Sequence, residues 1–445
     1  MGRGQLALLV AAVLAAPPLA AAEHLTLGSA MAEARQHARA ATAAADRARA
    51  AGERLALAKG ARLPALSVQE IWTRTDSPAE VFALKLNQQR FSFADFMVAD
   101  PNRPAALNTA ISRVEVSLPL FTGGELSGRI AQAGLASGAG EDAAAWAAEQ
   151  AALAAAEAYV TLAQAKEYVG LLERARSTLQ AHVELARAYA QQGMIVRSEV
   201  LRAEVELARL DDLLEQAQGN ARVAAANLAF RLGAAQGTLW ELDPLPLPGP
   251  LDGDLEAWLA SAASRKDLAS AHLLVRAGEL EEEVRRAAFL PKLAVVGRAD
   301  WVDDTPFGTH GSSSSLMAVA SVSVFAGGAD RAAAAAARWE ARAGAEDVAR
   351  FEEGVALEVR QAFEEAETAR RRQATAVTAL AAAREAERIT EERFKTGVVK
   401  MIDLLDVSTA RREAETRELV ARADAAAAVL RLAVQAGRRP ESVLP

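Results

Sequence analysis

The sequence predicts a mostly helical chain made of two copies of a helix–strand–strand–helix unit, with strands long enough to cross a membrane. Three observations predict it: an internal repeat at one fixed offset, the same order of hydrophobic periods in both copies, and an apolar leader at the start.

The repeat comes first. Arg62-Leu63-Pro64-Ala65-Leu66 is similar to Phe289-Leu290-Pro291-Lys292-Leu293. Phe121-Thr122-Gly123-Gly124 is similar to Phe325-Ala326-Gly327-Gly328, and Gly193 to Leu201 (GMIVRSEVL) is similar to Gly397 to Leu405 (GVVKMIDLL). The last two matches share one offset, 327 − 123 = 204 and 397 − 193 = 204, and both glycine pairs are 70 residues apart within a copy. The copies are residues 23–242 and 254–437, joined by a Pro-rich linker at 243–253 (DPLPLPGPLDG) that cannot continue a helix. Residues 438–445 form a tail.

Residues 1–22 read as a secretory signal peptide: a short start carrying Arg3, an uncharged run from Leu6 to Ala16, then Pro17-Pro18 and Ala20-Ala21-Ala22 at a small-residue cleavage point. The run is well short of the ~20 apolar residues of a spanning helix. Without Cys, the chain has no site for lipid attachment behind the signal, no disulfide and no thiolate metal site. Losing Arg3 takes the formal charge from −8 to −9, which disfavours nucleic acid as a partner. Hydrophobic content of 51% is inflated by Ala, and only 5% of residues are aromatic, so a large conventional core is not expected.

Each copy opens with a helical stretch, Leu25 to Ala61 and Asp254 to Ala288, that ends at a Leu-Pro pair. The period then falls to two. Leu293, Val295, Ala299 and Trp301 share one face, with Arg298 and Asp300 on the other. Leu316, Ala318, Ala320, Val322 and Val324 do the same against Ser321 and Ser323, and Val114, Val116, Leu118 and Leu120 against Glu115 and Ser117. Leu66, Val68 and Trp72 alternate less cleanly, since Glu70 shares their face. Four strands are expected at about 64–74, 112–121, 291–302 and 315–325, the length that crosses a bilayer when tilted. After each Gly-Gly comes a very long helix. Glu125 to Gln192 is 68 residues, about 100 Å at ~1.5 Å per residue. A heptad seam runs through Leu162, Val169, Leu172, Leu179, Val183, Ala186 and Ala190, with Arg176 as one lapse. It resumes as Val200, Ala203, Leu207, Leu210, Leu214, Ala217, Ala221, Ala224 and Leu228, the mark of supercoiled helices.

Four strands cannot close a barrel, and open strand edges are not tolerated in lipid, so several subunits would have to share one. Three would supply 12 strands, although other counts also close. Residues 75–110 are longer than the matching 303–315 and hold Phe82, Phe91, Phe93, Phe96 and Met97 with Lys85, Arg90 and Arg103. They read as an external loop that folds over the barrel mouth or meets headgroups. Trp72 and Trp301 read as interfacial belt residues or as subunit packing.

The Leu-Pro strand entries, the Phe-x-Gly-Gly exits and the Gly-x5-Glu/Asp-x-Leu turns, in this order and twice, make the chain resemble the TolC-type outer-membrane efflux proteins over nearly all of its length beyond the signal. The resemblance implies a mainly α homotrimer with one shared 12-stranded β-barrel and a long α-helical coiled-coil barrel in the periplasm. It also implies an outer-membrane exit duct of a tripartite efflux pump or type I secretion system, docked through a periplasmic adaptor to an inner-membrane transporter and seated in outer-membrane lipid. By position, Asp403 and Asp406 match the carboxylates that ring the family's periplasmic entrance. Ser198 and Glu199 match two of its gate residues, but Phe394 and Val399 stand where the family has a Tyr and an Arg. Lys400 or Arg197 offers a substitute cation, and a Glu199–Lys400 latch stands beside the plainer reading that these charges face water. Gly193, Met194, Gly397 and Val398 match the adaptor contact.

No catalytic function, cofactor or metal is expected. His24, His37, His182, His272 and His310 are scattered, phosphate-binding glycine loops are absent, and Ser313-Ser314 reads as a turn rather than a nucleophile elbow. The competing function is a periplasmic coiled-coil adaptor or scaffold without a pore. Two matching halves and apolar strand faces fit it less well.

Overall fold

The computed structural model describes residues 23–443 apart from 95, 96, 98, 99 and 246–248. The expected signal peptide and Phe96 lie outside the described residues. In chain order the elements are β1 (Glu23–Leu25), α1 (Leu27–His37), α2 (Arg39–Gly60), β2 (Ala65–Thr75), α3 (Pro78–Asn87), β3 (Leu107–Phe121), α4 (Glu125–Gln191), α5 (Arg197–Leu232), β4 (Trp240–Leu242), α6 (Leu255–Ala262), α7 (Lys266–Arg286), β5 (Lys292–Asp303), β6 (Gly311–Ser321), α8 (Ala329–Lys395) and α9 (Met401–Gln435). The repeat is structural. Helices α4 and α8 are both 67 residues long, and each starts 204 residues from its counterpart, 329 − 125. No described helix is long and apolar enough to cross a membrane.

The chain divides into two compact units and passes between them within α2, α4 and α8 and after Arg265. The strand unit, residues 44–145 and 266–354, holds an antiparallel sheet in the order β2-β3-β5-β6. The register aligns Leu66, Val116, Gly297 and Leu316 across the sheet, and one step away Ser67, Glu115, Arg298 and Ser315. One face is therefore mainly apolar, with Leu66, Val68, Val114, Val116, Val295, Ala299, Trp301 and Leu316, and is broken towards the loop end by Glu70, which accepts from Ser112 Oγ, and by Ser312 and Ser314. The other carries Arg113, whose Nε donates to Asp300 at 2.8 Å, and Arg298, which pairs with Asp300 at 3.4 Å. The apolar face is bare in the single chain, with Leu316 80% and Val68 71% exposed. Beside the sheet, α4 packs closely against α7. Gln132 Nε2 donates to the Ala277 carbonyl, and a Cβ at Gly128 would fall 2.5 Å from Val284 Cγ2.

The helical unit, residues 23–43, 146–265 and 355–443 of the described chain, is held by two cores. One joins Met31, Tyr159, Leu162, Leu228 and Leu430, and the other Leu172, Val183, Leu210, Phe394 and Leu404. The heptad seam is real: Leu162, Leu172, Leu179, Val183, Ala186, Val200, Ala203, Leu210, Ala217, Ala224 and Leu228 are all buried. Its lapse, Arg176, lies half exposed and pairs with Asp211 of α5 at 2.5 Å. Arg265, only 4% exposed, lies 4.6 Å over the Trp146 ring and donates to Glu358 and the Gln435 carbonyl.

Several sequence expectations need correction. The first helical stretch breaks at Ala38, where ψ is 132°, and the fourth-strand region begins at Gly311 and ends at Ser321, not 315–325. β6 pairs only with β5, whose first residue Lys292 meets Ser321, so Val322 and Val324 have no strand to join. For the same reason Ser313 and Ser314 lie in a strand, opposite Asp300 and Ala299, and not in a turn. β3 starts at Leu107, five residues early, because β2 reaches to Thr75 and pairs with it there. The 75–110 segment is not all loop: it holds α3, started by Pro78 at the first helical turn. The linker is tied down, with the Asp243 carbonyl accepting from Tyr159 Oη at 3.2 Å.

Candidate functional site

The two helical hairpins of the helical unit end at Gly193 and Gly397. Both glycines have positive φ, 73° and 75°, which an L side chain adopts only under strain. The closure is the same at each. Met194 N–H donates to the Tyr189 carbonyl at 2.9 Å, and Val398 N–H to the Arg393 carbonyl at 2.9 Å, the six-to-one bond of a left-handed helix cap. Met194, Val196 and Val398 are left exposed on the turns. They form the apolar surface at the expected adaptor contact.

The α9 start positions the carboxylates. Lys400 is its N-cap, and Lys400 N–H donates to Asp403 Oδ2 at 3.0 Å. Met401, Leu404 and Leu405 are buried, so Asp403 and Asp406, three apart, share the opposite face and are both exposed. One oxygen of Asp403 is thus held by the backbone while the charge remains in solvent.

The expected gate residues do not all come together. Ser198 is exposed in the first turn of α5 and Glu199 beside it is half-buried, its Oε2 without a hydrogen-bond partner. Phe394 is buried, its ring 6.0 Å from that of Tyr189, and so serves the core between hairpins instead of facing a pore. Glu199 and Lys400 make no ion pair with each other within the chain.

Behind the tips lies a polar cluster that sequence reasoning missed. His182 of α4, 8% exposed, lines a void of about 20 Å³ with Glu387 of α8 and Ser408 and Arg411 of α9. Arg411 Nε pairs with Glu387 at 2.5 Å and its Nη1 with Glu415 at 2.9 Å. Glu387 Oε1 and Ser408 Oγ have no partner. Burial pushes the His182 imidazole down from its usual value, opposed by the carboxylates of Glu391 and Glu387, while Lys395 adds to the lowering. The only sequence signal was a His inside the seam at position 182, one residue before Val183.

Residues 260–438 match the model of a family described as outer membrane efflux protein. No curated protein matches the chain. Among solved structures it is similar to CusC, at 14% identity and TM-score 0.77 over 93% of this chain and 92% of that one. It is also similar to the outer membrane protein VceC of Vibrio cholerae, at 16% identity and TM-score 0.74 over 93% and 96%. A third is the open state of the MtrE outer membrane channel of Neisseria gonorrhoeae, at 18% and 0.75 over 93% and 89%. The fold is that of the TolC-like outer-membrane channels. The family match covers the second repeat alone, and the solved structures extend the same fold over more than nine-tenths of the chain.

Proposed function

We propose that three copies of this chain close one barrel of 3 × 4 = 12 strands and act as the passive outer-membrane exit duct of a tripartite efflux pump or type I secretion system, with no catalytic step. The observation that carries the reading is the sheet. It has one mainly apolar face, interrupted by Glu70, one face with an Arg113–Asp300–Arg298 ladder, and two edge strands of 11 residues, β2 and β6, that have no partner on their outer sides among the described residues. Unpaired edges are excluded from lipid, and closure between copies satisfies every strand at once. The apolar face then meets hydrocarbon and the charged ladder lines water. In the same assembly the exposed Asp403 and Asp406 make carboxylate rings at the periplasmic entrance, where they concentrate cations. Ser198, Glu199 and Lys400 sit beside them as gate contacts. The exposed Met194 and Val398, with Gly193 and Gly397, receive the adaptor.

Fractionation tests this reading. The protein should stay in outer membranes through a carbonate wash, and its detergent-extracted form should have the mass of three chains. Release by carbonate as a single chain would support a periplasmic scaffold instead.

A further inference from the structure

The strand unit has two bare helix flanks that match its two bare strand edges. Each long strand is continued by a helix: α2 leads into β2, β3 into α4, α7 into β5 and β6 into α8. The helices pack in the same order as the strands. A Cβ at Gly140 of α4 would lie 3.3 Å from Ala51 of α2, one at Gly128 of α4 would press on Val284 of α7, and one at Gly344 of α8 would lie 3.8 Å from Val275 of α7. The layer therefore runs α2-α4-α7-α8 in step with β2-β3-β5-β6, and α2 and α8 are its two flanks.

Each flank helix carries a second stripe that nothing in the chain covers. On α8, Ala337, Ala341 and Gly344 face α7. At about 100° per residue, Ala335, Trp339, Arg342 and Glu346 lie on the other side of α8, and all four are exposed. On α2, Ala48 and Ala51 face α4, while Asp46, Ala50, Glu53 and Leu57 lie opposite and are exposed, Leu57 by 76%. Both bare stripes have the four–three–four spacing of a supercoiled seam.

Their charges lack partners beyond their own helix. Trp339, 57% exposed, lies between Arg338 and Arg342, whose guanidinium carbons are 5.4 and 4.8 Å from its ring centroid. Among the described residues neither arginine has a carboxylate partner, Glu53 has no ion pair, and Asp46 reaches only Arg49 of the same helix, at 3.0 Å. The levels also agree. Counted from the helix ends next to the sheet, Trp339 is 339 − 329 = 10 residues along α8 and Ala50 is 60 − 50 = 10 along α2. By the same count Arg342 and Asp46 are at 13 and 14, and Arg338 and Glu53 at 9 and 7. The large ring comes level with a small residue, and each arginine with a carboxylate.

We propose that the Arg338-Trp339-Arg342 face of α8 docks on the Asp46-Ala50-Glu53-Leu57 stripe of α2 in the next copy of this chain and seals the helical wall next to the barrel. This rests on the closure of copies through β6 and β2 proposed above, because the edges that join bring the two flank helices together. Docking takes Trp339 and Leu57 out of water and shields ion pairs that in solvent contribute little. A complementary stripe at the same level on the opposite flank points to a second copy as the occupant, and not to lipid.

The chain has no Cys, so engineered thiols report on the seam. Ala335→Cys/Ala50→Cys leaves the ring and its arginines in place. Outer membranes carrying it are treated with a short bismaleimide. Within one chain α4 and α7 separate the two positions, so only neighbouring copies can be joined. Bands of two and three chains on denaturing gels are expected, and none from either single variant. Trp339→Ala should make the detergent-extracted trimer dissociate roughly tenfold faster or more, as truncation of a buried interface Trp does. Arg338→Glu/Arg342→Glu should act in the same direction, and adding Asp46→Arg/Glu53→Arg should slow dissociation again, which a general loosening of the helices would not do. Trimers that form normally without the cross-link, and whose dissociation the charge reversals leave unchanged, overturn the seam, leave the closed barrel standing and open the α8 face to another partner. No trimer from the wild-type protein overturns the closure and the seam with it.

Discussion

Phe394 stands where the resembled proteins carry a gate tyrosine, yet it is 3% exposed and packs 6.0 Å from Tyr189, in a core with Met401 and Leu404. Phe394→Ala should therefore release the hairpin tip by loosening its core. Removing a buried phenyl ring costs about 3–5 kcal/mol. The tip opens locally at a lower cost than the whole protein, so the loss falls directly on that opening. At about 1.4 kcal/mol per factor of ten, opening becomes roughly two to three decades more frequent. Hydrogen exchange reads it at the amides of Gly397 and Val398, bonded to the Phe394 and Arg393 carbonyls. Peptides covering 389–405 should exchange faster by that factor, while peptides from β3 and β5 keep their protection. Phe394→Tyr should behave like wild type if its hydroxyl finds water at the edge of the core. Unchanged exchange at the tip in Phe394→Ala would falsify the assignment of this ring to the core.

Three further outcomes follow from the same geometry. His182 has a folded-state pKa below its ordinary 6.5, so the unfolded chain takes up the proton first. Its neutral form is fully accommodated above about 6.5, and stability is lost as pH falls through the folded pKa. Acidification from pH 7.5 to 5.5 should lower the protection of peptides around 175–186, measured relative to the intrinsic exchange rate at each pH, and His182→Leu should remove that acid-side loss, whereas an equal pH response in the variant would exonerate His182. Gly123 and Gly327 have φ of 66° and 63°, but only at Gly123 would a Cβ meet backbone, 2.8 Å from the Ala287 carbonyl oxygen. Gly123→Ala should lower the melting temperature of the extracted protein more than Gly327→Ala, by the equivalent of about 1–3 kcal/mol of added clash and strain; equal shifts would count against the packing described. Arg265→Met keeps the stem but loses the bonds to Glu358 and the Gln435 carbonyl and the contact with Trp146, and should destabilise the helical unit by about 1–3 kcal/mol in urea unfolding.

The large features were legible because they are periodic. The 204-residue offset of the paired glycines foretold helices α4 and α8 of equal length, and the heptad seam foretold most of the buried positions of α5, while the largely buried stretch of α4 from Ala151 to Ala163 lies outside it but for Leu162. Alternation foretold the sheet's two faces. The misses are pairings between distant segments. β1 and β4 pair in parallel over three residues, Glu23 to Trp240, Glu241 and Leu242, too short to leave a pattern. The ends of β3 and β6 are set by where β2 and β5 stop, which no local signal in β3 or β6 reports. The break at Ala38 has neither Gly nor Pro to mark it. At the candidate site, spacing placed Asp403 and Asp406 on one face, as found. It said nothing of Phe394 turning inward or of His182, Glu387, Ser408 and Arg411 meeting, since these come from three different helices.

The central claim is a cation-attracting duct, and its most direct test is planar-bilayer recording of the purified protein in a salt gradient, beside Asp403→Asn/Asp406→Asn. Asn removes the charge and keeps an acceptor for the Lys400 N–H that Asp403 caps. Stable steps with a cation-preferring reversal potential, and loss of that preference in the double variant, are the predicted result. A protein that purifies as a water-soluble single chain and gives no steps would contradict the duct, and steps with unchanged selectivity in the variant would remove Asp403 and Asp406 from its entrance.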